Sequence, residues 1–146
     1  MENMDNKRAI EYFKQGFNCS QAILATFGPK LGIGQEVSLK IATSFGGGMA
    51  RQQHVCGAVT GAYMVLGLQH GKFREGDDEP KEKTYKLVHE FNKKFIEMNG
   101  SIMCREILGE DMNTEQGKQN IKEKNLYKEK CFKAIEDSAK ILNELL

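Results

Sequence analysis

The chain has 146 residues, enough for one domain with a real core and too few to expect two. Its 21 Lys and Arg against 20 Asp and Glu leave a net charge of +1, which excludes a general pull toward nucleic acid or a charged membrane surface. No window approaches the length of a membrane span, and the N-terminal stretch MENMDNKRAIEYFK lacks an apolar signal core, so a cytoplasmic location is expected.

The pattern along the chain is helical throughout. Asp5 is placed to cap a first helix carrying Ile10, Tyr12 and Phe13 near one face, with Gly16 closing it. Asn18 then caps a second helix from Cys19 to Phe27, which Gly28-Pro29 stops. A third short helix is expected from about Glu36 to Phe45, with Val37, Leu39 and Ile41 as its apolar residues. The run Gly46-Gly47-Gly48 ends it. The fourth helix, from about Val55 to His70, is the least polar part of the chain and is expected to be central and buried. Gly57 and Gly61 on one side, four residues apart, let another helix approach closely, offsetting the roughly 1 kcal/mol each glycine costs in a helix.

The polar loop GKFREGDDEP leads to a long amphipathic helix from about Glu79 to Met98, with Tyr85, Val88, Phe91, Phe95 and Ile96 turned inward. Ser101 is placed to cap a short helix with Cys104, Ile107 and Leu108, ended by Gly109. The stretch EDMNTEQGKQNIKEKN reads as a polar surface excursion with at most a loose turn of helix. A last helix from about Leu126 to Leu146 carries Cys131, Ile135, Ser138, Leu142 and Leu145 along one stripe. Without strand alternation or heptads, the expected fold is all-α, residues 1–146 forming a single-domain helical bundle with a glycine-rich loop before its central apolar helix.

Chemistry concentrates on four cysteines, Cys19, Cys56, Cys104 and Cys131. A cysteine on an apolar face is ordinarily packing. Three of these, however, fall in the expected first turn of a helix, where unpaired amides and the helix dipole favour a thiolate. Cys131 lies inside the last helix and, read alone, is inert. The wide spacing excludes a C-x-x-C redox pair and a zinc finger or ribbon, so a shared site must be assembled by the fold from four helices.

The segment GGGMARQQHVC has two readings. Either the glycines are a joint, or Gly46, Gly47 and Gly48 with Arg51, His54 and the following helix terminus hold an anion or polar substrate. A P-loop is excluded, since no strand precedes the glycines and no Gly-Lys-Ser/Thr follows them. The helix terminus, the unhindered glycine loop, Arg51 and His54 also make Cys56 the thiol expected to be most acidic and most reactive, unless burial overrides them. His70 and His89 have no spacing partner and no assigned role.

These residues resemble a family of redox-active proteins of similar length named for a C, GCAxxG, C, C pattern. Cys19 lies in FNCSQAILATF, Cys56 opens CGAVTG after the glycine run, Cys104 lies in CREILG and Cys131 in the last helix. The core element reads CGAxxG here, with cysteine before glycine. The resemblance implies a helical domain whose four cysteines act together, often encoded near transporters and sometimes fused to split-Soret c-type cytochromes.

With no C-x-x-C-H, covalent c-type haem is not expected. The expected function is therefore electron transfer, through a shared thiol site or through an iron–sulfur cluster or another thiolate-bound metal on Cys19, Cys56, Cys104 and Cys131. The alternative is a non-catalytic module in which the same thiolates hold zinc and the loop around Asn113 to Asn125 meets a partner. A redox partner is implied but not named, and both monomer and homodimer are compatible with the apolar central helix.

Overall fold

The computed structural model describes residues 4–146; residues 1–3, the start of the N-terminal stretch read above, lie outside it. The described residues form eight α-helices and no strand, an all-α domain. None of these helices is long and apolar enough to cross a membrane.

In α1 (Met4–Lys14), Asp5 lies inside the first turn rather than ahead of it, and its carboxylate pairs with Lys30 Nζ. The start of α2 (Cys19–Phe27) is a capping box. Asn18 Oδ1 accepts the Gln21 N–H and Gln21 Oε1 accepts the Asn18 N–H, each at 2.9 Å, so two orphan donors of the helix terminus are satisfied. Every residue of α2 except Gln21 is buried. It therefore shares the centre of the bundle with α4 (Gly57–His70), the helix expected to be central alone.

α3 (Gln35–Ala42) is shorter than the sequence suggests, because residues 43–45 tighten into a 3-10 turn before the glycines. Its Val37 and Ile41 face solvent, and the helix packs through the small side chains of Ser38 and Ala42 instead. α4 begins at Gly57, since Val55 is held in a single antiparallel bridge with Met103 and cannot enter the helix. In α5 (Glu79–Asn99), Phe91 and Phe95 are fully buried and stacked 5.7 Å apart, whereas Tyr85 and Ile96 lie on the exposed flank. Burying an aromatic of this size is worth roughly 1.5–3 kcal/mol, so this pair anchors the long helix.

Gly57 and Gly61 do serve the close approach of two helices. A Cβ on Gly57 would lie 2.8 Å from Ser20 N and 3.0 Å from Cys19 Cβ, and one on Gly61 would lie 2.9 Å from Ile23 Cβ. α4 thus packs on α2 with the Cys19 turn directly against the Cys56 turn.

The remaining elements close the same end of the bundle. α6 (Cys104–Leu108) is one short turn. The stretch read as a surface excursion instead contains a nine-residue helix, α7 (Glu115–Glu123), capped by the Thr114 hydroxyl. Its Ile121 packs with Leu108 and Met112 in a small second cluster that Cys104 and Cys131 border. Two apolar residues in a polar stretch were too few to show helical period, yet they suffice to dock it. Residues 127–131 form a π-helical turn that leads into α8 (Phe132–Leu145). The Ser138 hydroxyl in α8 donates to Ala58 O at 2.8 Å, tying the last helix to α4.

Candidate functional site

The backbone after the glycines is left-handed. Gly47, Gly48, Met49, Ala50 and Arg51 all have φ between 52° and 68°, and Gln53 has φ 58°. For a residue with a Cβ this costs roughly 1–2 kcal/mol, so such a run persists only where its surroundings over-determine it. Here they do. The Arg51, Gln53 and His54 N–H groups bond back to Gly46, Gly47 and Gly48 O at 3.1, 3.0 and 2.9 Å. The buried Gln53 side chain donates to Glu110 O at 2.8 Å and accepts from Met112 N–H at 2.9 Å. Cys104 N–H donates to His54 O at 2.7 Å, and Cys56 N–H to Ile102 O at 2.8 Å. A Cβ on Gly48 would sit 2.8 Å from Cys104 Cβ, so the glycine lets the loop touch the α6 turn. The segment is a pinned scaffold between Cys56 and Cys104, not a free joint.

All four cysteines line one cavity of about 710 Å³, together with Gly46, Gly47, Gly48, Arg51 and Tyr127. Its apolar wall includes Phe13, Phe17, Ile107, Leu108 and Met112. Cys19 opens α2, Cys56 precedes α4, Cys104 opens α6 and Cys131 ends the π turn, so four separate elements deliver the sulfurs. All four are free thiols; Cys19 and Cys56 are buried, Cys104 and Cys131 half-buried.

The thiols differ sharply in acidity. Burial pushes the Cys56 thiol up to about 12, outweighing the hydrogen bonds from the Ala58 and Val59 amides that favour its thiolate. The helix terminus therefore acts in the expected direction and loses to desolvation, which overturns the expectation that Cys56 is the most acidic thiol. Burial and the charge at Cys131 raise Cys104 to about 11, against a hydrogen bond from Gln53. Cys19 is held well above its usual value by its hydrogen bond to Cys131 and by burial. That same hydrogen bond lowers Cys131, although burial opposes it. The Cys19 and Cys131 thiols are thus coupled, and Cys131, the cysteine that looked inert in the sequence, is the one whose thiolate the pairing favours.

Arg51 lines the cavity, and its charge is felt at the Tyr127 hydroxyl. His54 is exposed and contributes its backbone, its side chain taking no part in the lining. Two residues that sequence reasoning passed over belong to the site. Gln53 ties the left-handed loop to the strap before α7, and Tyr127 sits four residues before Cys131, its hydroxyl pKa raised by burial and by the charge at Cys131, with Arg51 opposing. Tyr127 could have been found from its i, i+4 relation to Cys131; nothing local marks Gln53.

Among the described residues no three Cys, His, Asp or Glu side chains converge on a point that a single metal ion could occupy. The four thiols around one cavity do match the donor type and number that iron–sulfur clusters take.

The family model described as "Putative redox-active protein (C_GCAxxG_C_C)" matches residues 17–145. A protein of Archaeoglobus fulgidus described as uncharacterized is 28% identical over 108 residues, covering 69% of this chain and 72% of that one. No solved structure matches the chain at a significant level.

Proposed function

Because the chain belongs to the C_GCAxxG_C_C redox family, we propose that its working group is the set of four thiols around the cavity, with Cys19 and Cys131 as the couple that is oxidised and reduced. The observation that carries this reading is the hydrogen bond between the Cys19 and Cys131 thiols within a cavity that Cys56 and Cys104 also line.

Thiol–disulfide exchange starts from a thiolate and ends when a neighbouring thiol resolves the mixed disulfide. Cys131 suits the first role, because the hydrogen bond from the Cys19 thiol favours its thiolate. Cys19 suits the second, since it lies beside Cys131 and holds its own proton more tightly. Oxidation removes two electrons from the pair together with its thiol protons and leaves a Cys19–Cys131 disulfide. Cys56 and Cys104 stay protonated near neutral pH and do not start exchange.

A second reading is favoured by the number of sulfurs on one cavity. Cys19, Cys56, Cys104 and Cys131 would hold an iron–sulfur cluster, which supplies one-electron transfer when bound. Protein prepared without oxygen distinguishes the two. Metal-free protein that loses two of its four thiols together on oxidation supports the couple. Stoichiometric iron and sulfide with visible absorption supports the cluster. Zinc without any redox change contradicts both and leaves a metal-stabilised binding module.

A further inference from the structure

The cavity carries one cation that thiol chemistry alone does not use. Its lining includes the guanidinium-bearing Arg51 and no carboxylate. Arg51 is held in place: its main chain is left-handed with φ 64°, its carbonyl accepts from Asn113 Nδ2 at 2.8 Å, and a Cβ on Gly47 would lie 3.0 Å from its Cγ, so only glycine leaves it room. The acidic residues on the adjoining strap are engaged elsewhere, Asp111 with Arg105 and Glu110 with Lys124 and Asn120. Among the described residues no carboxylate forms an ion pair with Arg51, and the N–H groups of Gly47, Gly48 and Ala50, which also line the cavity, take no part in the loop's backbone hydrogen bonds.

Access is the second observation. Cys19, which must resolve the mixed disulfide, is only 8% exposed and the attacking Cys131 is half-buried, so the disulfide of a folded partner protein is poorly placed to reach the pair. A cavity of about 710 Å³ with a largely apolar wall is instead of the size that small molecules fill.

Resting on the thiol-couple reading, we infer that the cavity takes a small organic disulfide bearing an anionic group, its charge held at Arg51, its body against Phe13, Ile107 and Met112, and its sulfurs presented to Cys131. The Cys131 thiolate attacks one substrate sulfur, the substrate S–S bond breaks, and one half leaves as a thiolate. The Cys19 thiol gives up its proton to that departing half and attacks Cys131 sulfur, releasing the second half as a thiolate. Two electrons pass from the cysteine pair to the substrate, and the protein is left with the Cys19–Cys131 disulfide.

The test compares two disulfide probes on the reduced full chain: dithiobis-nitrobenzoate, which carries carboxylates, and dithiodipyridine, which is neutral near pH 7. One charge at contact range is worth about tenfold in rate, so Arg51→Gln should slow the anionic probe about tenfold and leave the neutral one unchanged, with Arg51→Lys keeping the preference. Equal effects of Arg51→Gln on both probes, or none on either, would overturn the inference while leaving the thiol couple standing if mass mapping still finds the Cys19–Cys131 disulfide. Failure of both probes to form that disulfide in the unaltered protein would overturn the couple and the inference with it.

Discussion

The Cys19 thiol, in the first turn of α2, donates a hydrogen bond to Cys131 at the end of the π turn, joining two sulfurs that are far apart in the chain. Of the four cysteines, Cys131 is the one whose pKa is lowered. Brief substoichiometric alkylation of the reduced, metal-free protein near neutral pH should therefore mark Cys131 first, read by mass mapping. Cys19→Ala removes the donor and should slow that labelling, whereas Cys56→Ala should leave the order unchanged. Labelling of Cys56 ahead of Cys131 would show that the glycine loop activates its neighbour after all.

Two glycines of α4 should respond to alanine in opposite directions. At Gly57 the new Cβ meets Ser20 N at 2.8 Å and Cys19 Cβ at 3.0 Å, backbone and a short side chain that cannot swing away. The overpacking costs about 1–3 kcal/mol, against a propensity gain of at most about 1 kcal/mol. At Gly67 nothing lies within 4 Å of the added carbon, so only the propensity gain remains. Thermal unfolding should show Gly57→Ala less stable and Gly67→Ala slightly more stable than the parent.

Gln53→Ala removes the donor to Glu110 O and the acceptor for Met112 N–H, leaving buried backbone groups unpaired at about 1–3 kcal/mol each. The left-handed loop loses the tether that offsets its backbone strain. Hydrogen exchange at Met112 should accelerate. Unchanged exchange at Met112 would mean that the loop is held by its backbone bonds alone.

Alkali should destabilise the fold through Cys56. Its thiol ionises at about 12 in the folded chain against a usual 9.0, so above the usual value the unfolded chain has shed a proton that the folded chain retains. Stability is full below the usual value and falls as pH rises toward 12, by an amount on the order of 4 kcal/mol for a shift of this size. Denaturant unfolding between pH 8 and about 11 should show this decline, flattened in Cys56→Ala. A parent and variant with parallel pH dependence would contradict the burial assigned to that thiol.

Much of the helical order was legible from caps and glycines: the Asn18 box, the Pro29 stop and the close approach at Gly57 and Gly61 are all local signals that the packing honours. The docking of α7 was not, because Ile121 gains its meaning only from Leu108 and Met112. The candidate site divides the same way. Its residue types were visible in the chain, but the order of acidity was not, since a helix terminus can be read locally and the burial that overrides it at Cys56 cannot. Cys131 is lowered by its hydrogen bond from Cys19, a neighbour that only the folded bundle supplies.

The most direct test of the central claim is a redox titration of the anaerobically prepared full chain in thiol–disulfide buffers, quenched by alkylation and followed by mass mapping. The account predicts a two-electron transition in which Cys19 and Cys131 lose their thiols together and appear as one disulfide, while Cys56 and Cys104 remain alkylatable after denaturation. Independent oxidation of the four thiols, or a first disulfide that omits Cys131, would contradict it.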